Sequence, residues 1–197
     1  MPAPPPAPDP ERDSPATDVV TLTLEAFADT IVPGERRFPG DVAVAGAAPG
    51  PGAVAAGALE LLHLPATGVT AGLPHLAGML NEHAGVHADA AGTTLDPDLP
   101  AFVALPFAER TAVVRALTAP GHPEKDGWVA LALFSNMAFD SAAHLHTADA
   151  IAAGHPGLAA MGFSEPGEDR LWRFPGYSYR RELADLHPDT TPDGSPA

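Results

Sequence analysis

Proline sets the limits of what this chain can fold into. It supplies 24 of the 197 residues, with Gly supplying another 19. Each Pro fixes φ and lacks a backbone donor, so helix interiors and central strands are closed to it and regular elements must fit between prolines. Six of the first ten residues are Pro, and the last eleven carry Pro188, Pro192 and Pro196 with few apolar side chains. The hydrophobic residues, 45% of the total, are concentrated between these ends. The pattern predicts a disordered Pro-rich leader over residues 1–18, a single helical domain over 19–186 and an extended tail over 187–197. The leader has no apolar h-region of the kind a secretory signal needs.

Within the domain the apolar spacing is helical. Val20, Leu24, Phe27 and Ile31 form one stripe, with Thr21 as the expected N-cap and Pro33-Gly34 as the stop. Residues 35–52 read as a punctuated loop, and 53–62 as a short apolar helix. A third helix is expected over 72–90, placing Leu73, Leu76 and Leu80 on one face. A short helix around Phe102 follows. Next comes a helix over 106–118 in which Arg110 lines up with Val113, Val114 and Leu117. Residues 126–153 read as the longest element, apolar nearly all round and hence a buried central helix. The fold class is mainly α, an irregular bundle of five or six helices closed by an aromatic, Gly/Pro-rich strap over 154–179.

The charge balance narrows the partners. Ten Lys and Arg stand against 25 Asp and Glu, a net charge of -15 that repels phosphate backbones and anionic lipids. Neither a nucleic acid nor a membrane is an expected partner. No stretch approaches the length of a bilayer span, and a cytoplasmic protein is expected. There is no Cys, which removes disulfides, thiolate metal sites and Cys nucleophiles.

Three groups of residues carry chemistry. His83 and His87 stand one turn apart, a spacing from which two imidazoles can reach a divalent metal if His144 or His146 completes the set. The alternative is a pair of half-buried histidines bonded to backbone or water. Asn136, Asp140 and His144 fall at i, i+4 and i+8 of the expected central helix, where Asp140 could orient His144 for proton transfer. The alternative there is a buried polar network. Trp172, Phe174, Tyr177 and Tyr179 alternate with Arg170, Arg173, Arg180 and Arg181. Such a run suits a partner surface or an aromatic small molecule, or else a strap whose arginines pair with carboxylates.

Several stretches, taken together and in order, resemble the gluconate 2-dehydrogenase subunit 3 family. They are Leu24-Glu25-Ala26-Phe27-Ala28-Asp29-Thr30-Ile31-Val32-Pro33-Gly34, then Phe107-Ala108-Glu109-Arg110 with Val113-Val114-Arg115-Ala116-Leu117, then Gly127-Trp128, and Gly162-Phe163 with Trp172-Arg173-Phe174-Pro175-Gly176-Tyr177. The Ala, Gly and Pro content suits an actinobacterial branch of that family, met beside oxidoreductases of secondary metabolism. The resemblance implies a helical accessory subunit that binds no flavin itself and supports a flavin-dependent large subunit of the glucose–methanol–choline oxidoreductase class. It supplies no catalytic residues to carry over. The competing reading is a stand-alone enzyme on a natural-product intermediate, using Asp140 and His144 or a His-ligated metal.

Overall fold

The computed structural model describes residues 15–163. Among them it is helical throughout, with eight α-helices, two short 3-10 turns and no strand. The helices are α1 (Pro15–Ile31), α2 (Ala58–Leu62), α3 (Leu73–Ala91), α4 (Ala101–Ala104), α5 (Phe107–Leu117), α6 (Lys125–Ser141), α7 (Thr147–Ala152) and α8 (Pro156–Met161). Four of them, α1, α3, α5 and α6, are long enough to build a bundle, and the short ones close its ends. The leader beyond residue 14 toward the N-terminus, the strap residues 164–179 and the tail 187–197 lie outside the described residues.

The core forms where the apolar stripes meet. Leu24 and Phe27 of α1, Leu73, Ala77 and Leu80 of α3, Phe102 of α4, Val113 and Leu117 of α5, and Trp128 and Leu131 of α6 make one continuous buried cluster. The Phe27 and Trp128 rings lie 6.2 Å apart at 37°, an offset arrangement that suits their quadrupoles. Removing a buried aromatic of this kind costs about 3–5 kcal/mol. Asn81 ties three helices together at the edge of the cluster. Its amide donates to Thr23 Oγ1 on α1 and to Ala77 O, and its Oδ1 accepts from the Phe102 backbone N–H, each at 3.0 Å.

Pro and Gly end the helices as their chemistry requires. Pro74 and Pro156 sit in the first turns of α3 and α8, where no donor is missed. Gly92, at φ 72°, closes α3 with the Thr93 N–H bonded to Ala88 O at 2.9 Å.

Three expectations need correction. First, α1 begins at Pro15, so residues 15–18, expected in the disordered leader, are helical, and Thr21 lies inside the helix and caps nothing. Second, the stretch read as one long helix is two: α6 ends at Ser141, Ala142 turns left-handed at φ 48°, ψ 44°, and α7 starts at Thr147. Ala142 is fully buried and its neighbourhood holds the turn, although alanine itself favours the right-handed form. Third, α6 is not enclosed by the described residues. Trp128, Leu131, Ser135 and Ala138 face inward, while Val129 and Leu133 lie on the opposite, exposed side. No helix among the described residues is long and apolar enough to cross a membrane.

Candidate functional site

Residues 33–53 form an ordered loop built by charged side chains, where 35–52 were expected only to punctuate; the helix expected over 53–62 is shorter, since α2 begins at Ala58 after a turn. Asp29, in the last turn of α1, is 1% exposed, and its two oxygens accept from the backbone N–H groups of Gly34 at 3.2 Å and Ala45 at 2.9 Å. Burial raises its carboxyl above the ordinary value, opposed by those two amides. Asp41 accepts from Val44 N–H at 3.2 Å and from Arg37 Nε at 2.7 Å. Burial works to raise that carboxyl too, but the Arg37 and Val44 bonds outweigh it and hold it below the ordinary value. Arg37 also forks onto both oxygens of Glu25, at 2.6 and 2.7 Å, a bidentate geometry that fixes direction as well as distance.

Arg110 fastens the loop to the bundle. It is 4% exposed and donates from Nε to Leu105 O, and from its terminal nitrogens to the carbonyls of Ala43, Val42 and Val103. Desolvation pulls its guanidinium below the ordinary value, with Asp29 opposing. The loop closes at its base, where Ala53 N–H bonds Val32 O at 2.9 Å and Glu35 N–H bonds Gly50 O at 2.7 Å. Gly34 and Gly52 are in backbone contact there. A Cβ on Gly34 would lie 2.3 Å from Gly52 N, and one on Gly52 would lie 2.6 Å from Val32 O. The loop presents Phe38, 55% exposed, with the Arg37 guanidinium 5.7 Å from its ring centroid, and beside it Val42, 40% exposed.

The residues expected to carry chemistry are dispersed. Asn136 Nδ2 donates to Asp140 at 2.7 Å on the exposed side of α6. His144 lies beyond the end of that helix, so the acid–base pair of Asp140 and His144 on a single helix face is not formed. The His144 ring lies 5.7 Å from that of His155, and its Nδ1, cut off from water, has no hydrogen-bond partner among the described residues. Burial, with His155 adding to it, lowers the His144 imidazole below its ordinary value. His155 is itself fixed: Nε2 bonds Ala56 O at 2.9 Å and Nδ1 accepts from Leu158 N–H at 3.3 Å, capping α8. In the neutral ring the proton is therefore on Nε2.

His83 and His87 do share a face of α3, but each turns to a different carboxylate. His83 Nε2 bonds Glu124 at 2.9 Å, and His87 Nε2 stands 3.6 Å from Glu109. No group of three or more His, Cys, Asp or Glu among the described residues is arranged to hold a metal ion. Trp172, Arg173, Phe174, Tyr177 and Tyr179 lie outside the described residues.

The model of a family of unknown function, DUF5987, matches residues 18–197. The chain belongs to that family. The match takes in the Asp29–Arg110 loop anchor, the histidines of α3 and the aromatic–Arg run alike. No curated protein and no solved structure matches the chain.

The loop anchors are what sequence reasoning missed. Their one visible signal was Arg110, an arginine in register with Val113, Val114 and Leu117 on an apolar face. A charge placed there must be bonded inside the protein.

Proposed function

We propose that this member of the DUF5987 family is a cytoplasmic accessory subunit that docks on a larger flavin-dependent oxidoreductase of the glucose–methanol–choline class in secondary metabolism, binding no flavin itself. The observation that carries the reading is the use made of the buried charges. Taking an ion out of water costs several kcal/mol, and Asp29, Asp41 and Arg110 are all placed where they hold one surface loop rigid. That rigid loop leaves an aromatic ring, Phe38, in solvent. A preordered loop with a protruding aromatic gives up little entropy when it docks, and such residues anchor interfaces. The oxidoreductase identity of the partner comes from the sequence resemblance, which includes the Asp29–Gly34 corner of this same loop.

The test is reconstitution. The chain should co-purify at fixed stoichiometry with the flavoprotein produced from the same source, and the flavoprotein should lose activity without it. Phe38→Ala should weaken the complex at least tenfold, about 1.4 kcal/mol, while leaving the fold of the free chain unchanged. Full activity of the flavoprotein alone would overturn the reading.

A further inference from the structure

A cavity of about 230 Å3 opens between α3, α5 and the turn before α6. Its apolar lining includes Val113 and Leu117, both buried on α5, and Val86 of α3, which is 70% exposed and so marks the open side. The imidazoles of His83, His87 and His122 supply its polar edge. A mostly hydrocarbon wall with a few polar groups along one edge is the make-up of a site for a small organic molecule.

One residue outside the cavity fixes two of these rings. The Glu124 carboxylate accepts from His83 Nε2 at 2.9 Å, and the Glu124 backbone N–H donates to His122 Nδ1 at 3.2 Å. The carboxylate also accepts from Trp128 Nε1 at 3.1 Å. The His83 bond and then the Trp128 bond hold it below the ordinary carboxylate value, so it is ionised and can only accept. The neutral His83 ring therefore carries its proton on Nε2 and a lone pair on Nδ1. His122 accepts at Nδ1 and carries its proton on Nε2. Packing holds the same rings: His83 meets Trp128 edge-on at 6.1 Å and 79°, and meets His122 at 5.9 Å and 68°. At the nitrogens that the Glu124 bonds do not use, one imidazole is thus set as an acceptor and its neighbour as a donor.

We propose that this cavity binds a small single-ring phenol, its ring against Val86, Val113 and Leu117 and its hydroxyl between His83 and His122. The hydroxyl accepts from His122 Nε2–H and donates to His83 Nδ1. A hydroxyl does both through one oxygen, and rings with centroids 5.9 Å apart can each reach one oxygen at about 2.8 Å. An ether or a ketone only accepts and would set its oxygen against the His83 lone pair. A phenol suits the site better than an alkanol, because its more acidic O–H, with a pKa of about 10, is the stronger donor to an imidazole nitrogen. An apolar cavity of about 150 Å3 holds benzene, so 230 Å3 takes one ring with a short substituent. The site does not depend on the accessory-subunit reading.

Titration of the full chain with four probes of similar size tests the proposal: 4-methylphenol, 4-methylanisole, toluene and 4-methylcyclohexanol. It is run at pH 8, above the ordinary histidine value of about 6.5, and followed through the methyl resonances of Val86, Val113 and Leu117. Two hydrogen bonds of ordinary net strength are worth about tenfold or more in affinity. The phenol should therefore bind saturably, at least tenfold more tightly than the ether or the hydrocarbon, and more tightly than the cyclohexanol. Imidazole nitrogen resonances of the free chain should place the proton on Nε2 of both His83 and His122. His83→Phe and His122→Phe should each bring the phenol to the level of the ether, while toluene keeps its affinity and so reports an intact cavity. The probe ranking and the tautomers are read on the unaltered chain and decide the matter even where a variant fails to fold. Equal affinity for the phenol and the ether, no shift at the three methyl-bearing residues with any probe, a proton on Nδ1 of either ring, or phenol selectivity that survives both substitutions would each overturn it.

Discussion

Arg110 shows how one side chain can decide the state of a surface loop. Its guanidinium serves carbonyls from two separate parts of the chain, Val42 and Ala43 on the loop and Val103 and Leu105 at the end of α4. Arg110→Met keeps much of the apolar stem but leaves those carbonyls without their donor. A buried acceptor left without its donor costs about 1–3 kcal/mol, so urea unfolding should show a loss of at least that order. Asp140→Asn should change stability by less than about 0.5 kcal/mol, because among the described residues its side chain bonds, near the surface, to Asn136 of its own helix. If the natural activity of the protein, once assayed, fell sharply in that variant, Asp140 would act in chemistry after all.

His144 gives a pH dependence with a definite sign. Its imidazole is held below its ordinary value by burial and by His155, so the unfolded chain takes up the proton more readily than the folded one. Stability is full above the ordinary histidine value, about 6.5, and declines as pH falls from there through the lower folded value. The groups facing the ring are His155, which adds to the effect, and Glu60, which opposes it. Thermal melts between pH 8 and pH 5 should show the decline, and His144→Asn should flatten it.

At the scale of elements, closeness of approach matters more than propensity. A Cβ on Gly157 would lie 2.2 Å from Phe139 O, so α8 lies directly on the backbone of α6. Gly157→Ala must push the two helices apart, and overpacking of this sort costs about 1–3 kcal/mol. Gly34→Ala should do comparable harm at the base of the loop, where the atoms in the way are backbone and cannot rotate aside. Hydrogen exchange separates the two. Gly157→Ala should speed exchange in α8, and Gly34→Ala should speed it at Glu35, Ala45 and Ala53.

The same scale explains what the sequence made legible. The stripe of Val20, Leu24, Phe27 and Ile31 found α1, and Pro and Gly placed the ends of α3 and α5 within a residue or two. These are local signals. The break at Ala142 left no such mark, because apolar spacing runs on past it and alanine is the best of helix formers. The order of residues 33–53 was equally hidden, since the bonds that create it join Arg110 to Val42 and Ala43 across more than sixty residues. His83 and His87 were found as a pair by spacing, but the carboxylates that draw them apart come from α5 and from the turn before α6, and no window on α3 contains either.

Across the whole molecule, charge and core work against each other. A net charge of -15 repels itself in the compact state, while one cluster running through α1, α3, α4, α5 and α6 holds it together. Moderate salt screens that repulsion over distances near 10 Å, so raising NaCl from 20 to about 200 mM should increase the melting temperature. The Arg37 pairs with Glu25 and Asp41 weaken under the same salt. A net decrease would mean that these pairs, and not the global repulsion, dominate.

The junction of Gly34 and Gly52 also bears on how the protein could be altered. The two stretches of chain meet there by direct backbone contact, Arg110 and Asp29 hold residues 42–45 to the bundle, and the entropy of closing a longer excursion between these fixed points rises slowly with its length. The stretch around Pro39 and Gly40, exposed and at the far side of the Asp41 anchor, is therefore a place where new sequence can be grafted, so that the helical scaffold can be kept and the face it offers to others rewritten.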